Sequence, residues 1–132
     1  MEVFIMNAKQ KYVDVLTEEK PDLIEVLFEF EADVHPKING KGHGEGAVFV
    51  GRVNLYVVLD NDVYDYVIAD LHEVKFKNNM LNHSVEFKYG DSDEELKLKF
   101  EDKPETVEFA KVMENLSMER ESYREYIDAQ EQ

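Results

Sequence analysis

From Leu23 to Glu101 apolar and polar side chains alternate, and from Asp102 onward the alternation gives way to a spacing of three and four. A period of two belongs to a strand with one buried face; a period near 3.6 belongs to a helix with one apolar stripe. A chain that carries the first pattern over most of its length and the second only at its end is a β-domain closed by a helix.

Ile24, Val26, Phe28 and Phe30 alternate with Glu25, Leu27, Glu29 and Glu31, which predicts a strand with one buried and one nearly all-acidic face. A loop follows from Asp33 to Glu45, marked by Pro36, Gly40, Gly42 and Gly44, with Gly46 at its edge. Ala47 to Leu59 is apolar and β-branched, and Gly51-Arg52 predicts a bend, a turn or a bulge within it. Asp60-Asn61-Asp62 is a turn by composition, and Val63 to Ala69 is a further strand. Val74 to Lys77 follows, then a turn at Asn78-Asn79, then Val85, Phe87 and Tyr89 alternating with Glu86 and Lys88. After a turn at Gly90 to Asp93, Leu96, Leu98 and Phe100 alternate with Lys97, Lys99 and Glu101. Opposite charges on the outward faces of these last two strands favour antiparallel pairing by a few tenths of a kcal/mol each.

The closing helix has a legible start. Asp102 is placed to cap, Pro104 sits in the first turn and Glu105 completes an Asp-x-x-Glu capping box. Phe109, Val112, Met113, Leu116, Tyr123 and Ile127 form one stripe, which predicts a single helix over about 103–128. The charged turns from Glu119 are expected to project into solvent. Residues 1–22 read as an N-terminal extension. Tyr12, Val15 and Leu16 fit one helical face, while Lys11 to Leu16 also alternates like a strand. The division is therefore 1–22 for the extension, an added strand or helix, and 23–132 for the main domain.

Strands this closely spaced, with a helix at the end, predict a mainly β fold: seven antiparallel strands curled into a bent sandwich or barrel, one end plugged by the helix. Tyr66 to Phe76, and Leu96 to Phe100 followed by Glu108 through Leu116, resemble the pleckstrin-homology-like superfold, including GRAM-type domains. That resemblance implies a binding module whose ligand meets its loops or edges.

Composition narrows the partners. Thirty acidic and 15 basic residues give a net charge of −15, which opposes nucleic acid and anionic membrane surfaces and favours a basic partner. The chain has no cysteine, so disulfides and thiolate chemistry are excluded. The opening residues lack a secretory leader pattern, which predicts an intracellular protein, cytoplasmic or nuclear. The four histidines, His35, His43, His72 and His83, have no ligand spacing, and Asp91 to Glu95 lacks the remainder of a calcium loop, so no metal and no cofactor is expected. No catalytic motif is present, and the expectation is a protein that is not an enzyme.

Two sets of residues are candidates for binding. The resemblance implies a ligand at the connection between the first two strands, where His35, Lys37, Lys41, His43 and Arg52 form a basic island. Through it the 35–52 loop would take a phosphoinositide or other anionic lipid. The second set is the acidic ridge Glu25, Glu29 and Glu31 with Tyr123 and Tyr126 of the helix end, which would take a basic or mixed-charge protein. Such a partner could also add a strand to a sheet edge. The helix end is also the surface a homodimer would use. The leading expectation is the protein-interaction module; lipid binding comes second, and a carrier with a small molecule inside an aromatic-lined barrel third.

Overall fold

A computed structural model describes residues 2–3, 9–35, 44–79, 82–91 and 95–131. The strands are β1 (Glu2–Val3), β2 (Glu25–Val26), β3 (Phe28–His35), β4 (Gly44–Val50), β5 (Asn54–Leu59), β6 (Asp62–Val67), β7 (Leu71–Asn79), β8 (Asn82–Tyr89) and β9 (Glu95–Lys99). The helices are α1 (Gln10–Glu19), α2 (Lys103–Leu116) and α3 (Arg120–Gln130). Seven strands form one antiparallel sheet in the order β6-β5-β4-β3-β9-β8-β7. The sheet does not close: β6 and β7 are its two edges. It bends at β3, which pairs with β4 along its length but with β9 only from Asp33 to His35.

The inner face is filled by α2 and α3. Asp102 accepts the Glu105 N–H at 2.9 Å, so the expected cap is present, and Pro104 stands in the first turn. Phe109 then meets Phe30 edge-on at 5.7 Å, Phe87 at 6.2 Å and Phe100 at 5.1 Å. Burying one such side chain stabilises the fold by roughly 1.5–3 kcal/mol. The third reading would have aromatic rings line a carrier's cavity; Phe30, Phe87, Phe100 and Phe109 are buried against one another.

The closing helix is two helices. Ser117 leaves helical geometry with ψ at 153°, and its hydroxyl accepts the Glu119 N–H at 3.0 Å. α3 then crosses to β7 and buries Tyr123, Tyr126 and Ile127. Tyr126 stacks on Phe76 at 3.9 Å and Tyr123 meets it edge-on at 5.7 Å. The expected solvated helix end is thus packed.

The outer face carries a second core. Tyr12, Leu16 and Val26 pack on Ala47, Phe49, Tyr56 and Val58. The extension is therefore a third layer over β4, β5 and β6, containing both a strand and a helix. The first predicted strand is also interrupted. Phe28 pairs with Val50, and the Leu27 N–H donates to the same Val50 carbonyl at 2.8 Å. Two residues opposing one make a bulge, which turns Val26 to the outer core while Phe30 faces the inner one. Ile24, expected in the buried face, is 80% exposed.

Candidate binding site

The outer ends of β3, β4 and β9 form a cleft with the start of α1. Asp33 stands directly opposite Glu45 on one side and Lys99 on the other. Like charges directly opposed across two strands destabilise the pairing. Glu31 lies two residues along the same face, with the Lys9 ammonium 3.8 Å away. Glu101 follows β9. The cleft has a volume of about 400 Å³ and is lined by four carboxylates, Glu31, Asp33, Glu45 and Glu101, against two lysines, Lys9 and Lys99.

The crowding extends into the first turn of α2. The Glu105 carboxyl is held above its ordinary range, first by burial and then by the negative charges of Asp102, Glu101 and Glu31. A cation placed here would relieve that repulsion. A neighbouring depression shares Tyr12 and Glu45 and is completed by Lys11, Val15, Asp60 and Asn61. The acidic surface thus continues from β9 across β3 and β4 to the β5–β6 turn.

The two predicted sets fare differently. Lys37, Lys41 and His43 lie outside the described residues. The remaining two members of the basic island are not neighbours. His35 ends β3, whereas β4 separates it from Arg52, which sits at the far end of that hairpin and donates to Glu25 at 2.7 Å. The loop taken as 35–52 therefore contains a strand, and Arg52 is not part of its tip. The acidic ridge is divided by the bulge. Glu29 is fully buried opposite Phe49, Glu25 is engaged with Arg52, and Glu31 alone reaches the cleft. Tyr123 and Tyr126 are core residues, and burial raises the pKa of both phenols. Sequence reasoning missed Asp33, Glu45 and Glu101. Their signal was their position: two flank the glycine-rich connection and one follows the last strand.

Among the described residues no group of three or more histidine, aspartate or glutamate side chains is arranged to hold a metal ion. No helix there is long and apolar enough to cross a membrane.

No family model matches the chain. No curated protein matches it either. Solved structures do. The C-terminal domain of an unknown protein from Leishmania infantum is 15% identical, with a TM-score of 0.58 over 76% of this chain and 95% of that one. Inner membrane complex sub-compartment protein 3 of Toxoplasma gondii is 13% identical, with a TM-score of 0.52 over 91% and 90%. A structure of the Vav1 exchange factor with its PH and C1 domains is 8% identical, with a TM-score of 0.54 over 81% of this chain and 32% of that one. Together with the strand order and the closing helices, these likenesses show a pleckstrin-homology-like fold.

Proposed function

We propose that this chain is a non-enzymatic interaction module that holds a basic segment of a protein partner in the acidic cleft. The observation that carries the reading is the facing pair Asp33 and Glu45 beside Glu31 and Glu101, a concentration of like charge offset among the described lining residues by Lys9 and Lys99. Folding gains nothing from such an arrangement, whereas a lysine or arginine side chain entering the cleft would meet several carboxylates at once.

The test is a titration with an unstructured, fluorescently labelled peptide rich in lysine and arginine. Binding is expected, weakening steeply as salt rises. The double variant Asp33→Asn, Glu45→Gln is expected to weaken it by about tenfold, a loss of roughly 1.4 kcal/mol. Unchanged affinity in the double variant, or affinity indifferent to salt, would count against the reading.

A further inference from the structure

No further strand pairs with either edge of the sheet among the described residues, and at β6 the hydrogen-bond phase can be derived. In an antiparallel pair, directly opposed residues alternate between exchanging both backbone bonds and exchanging none. Beyond the end of β6 the Ile68 N–H donates to the Val53 carbonyl at 2.8 Å, which marks that opposed pair as bonded. Counting back along the register, the pairs Leu55 with Tyr66, Val57 with Tyr64 and Leu59 with Asp62 are bonded, and the three between them are not. The N–H and C=O groups of Val63, Asp65 and Val67 therefore point away from β5. Among the described residues none of these groups has a backbone partner.

Natural edges are shielded by lysine, proline, bulges or a covering element. β6 has no lysine, no proline and an uninterrupted register. Its shielding is aspartate. Residues 60–70 contain four aspartates and no cation, and all four are exposed. One of them, Asp65, accepts from Lys20 at 2.6 Å, which holds the Lys20 ammonium pKa above its ordinary value. Asp60, Asp62 and Asp70 have no cationic partner in the described structure. One exposed apolar side chain stands on the edge itself, Val67, 44% exposed. Aspartates keep a second copy of this acidic chain away. They do not repel a strand of the opposite charge.

We propose that an extended basic segment of a protein partner adds to the sheet along β6. Its backbone pairs with Val63, Asp65 and Val67. Its cations meet Asp62 and Asp70, and an apolar side chain covers Val67. The acidic surface running from the cleft through Asp60 leads onto the start of this edge. The inference rests on the proposed preference for a basic partner and adds the mode by which that partner is held.

A short peptide alternating lysine and valine is the probe, compared with the same peptide methylated at every internal backbone nitrogen. Methylation keeps the charge and removes the donors a paired strand needs. The unmodified peptide is expected to bind about tenfold or more tightly than the methylated one. Val67→Pro removes an outward N–H at a φ of −72°, which proline adopts, and is expected to cause a comparable loss. Equal affinity for the two peptides overturns the proposal without any variant. So does full binding by a folded Val67→Pro protein. If the unstructured basic peptide still binds and still depends on Asp33 and Glu45, only strand addition has failed. If neither peptide binds, the cleft reading fails with it.

Discussion

The two edges of the sheet are treated in opposite ways. At β7 an extra residue between His72 and Lys75 makes a bulge, and Glu73 takes a left-handed φ of 50°. The Glu73 N–H that this turns outward is received by the Glu119 carboxylate at 2.9 Å, just ahead of α3. α3 then lies along β7, with Tyr126 stacked on Phe76 and Gln130 accepting from Asn78 at 2.7 Å. The Glu73 carboxylate in turn pairs with Lys88, whose hydrogen bond holds its pKa below the ordinary range. At β6 the neighbouring helix is α1, which packs on the outer face over β5 and β6 and gives the outward backbone groups of the edge no partner. One edge is covered by a helix and broken by a bulge; at the other the outward N–H and C=O groups have no backbone partner among the described residues and aspartates flank them. The lesson is that charge is a selective guard: it excludes copies of the same chain and admits a partner of opposite sign.

The largest effect is expected at the closed edge. Tyr123 is fully buried against Phe76, and Tyr123→Ala is expected to cost about 3–5 kcal/mol in urea unfolding. Loosening α3 would also expose β7, so the variant should self-associate with rising concentration in sedimentation experiments. A loss below about 1 kcal/mol with no self-association would mean that α3 does not guard that edge.

A smaller effect sharpens the charge side of the comparison. Because the folded-state pKa of Glu105 is raised, its ionised form destabilises the fold. That destabilisation is complete above the folded pKa. It fades as pH falls through that value and is absent below the unfolded value near 4.5. Glu105→Gln should therefore raise stability near neutral pH by less than about 1 kcal/mol, solvent screening limiting the gain, and by nothing in acid. A stability difference that stays constant across the whole pH range would contradict this.

The smallest effect belongs to the open edge. Val67→Pro should change stability by no more than about 0.5 kcal/mol, since its φ already suits proline and its N–H has no backbone partner among the described residues. A cost of several kcal/mol would show that the N–H is engaged.

Much of this was legible locally. Period-two runs became strands, Asp60-Asn61 became a turn with Asp60 at a φ of 56°, and Asp102 became a cap. The opposite charges expected on neighbouring strands do face one another, Glu86 opposite Lys97 and Lys88 opposite Glu95. What escaped depended on distant contacts. In the alternation from Ile24 to Phe30 only Leu27, apolar on the otherwise acidic side, departs from the pattern. It takes the register with β4 to show that a bulge there divides the acidic ridge, and the outer core to show that Glu29 is buried. Leu116 and Tyr123 are seven residues apart and keep the helical stripe in phase, which hid the break at Ser117. The cleft joins residues from β3, β4, β9 and α1, and no window of sequence contains them together.

The most direct test of the difference between the edges is residue-resolved hydrogen exchange on the free protein. Protection should alternate along β6, slow at Asp62, Tyr64 and Tyr66 and fast at Val63, Asp65 and Val67, while the Glu73 amide on β7 exchanges slowly. Uniform protection along β6 would contradict the account, because it would mean that the edge is already covered.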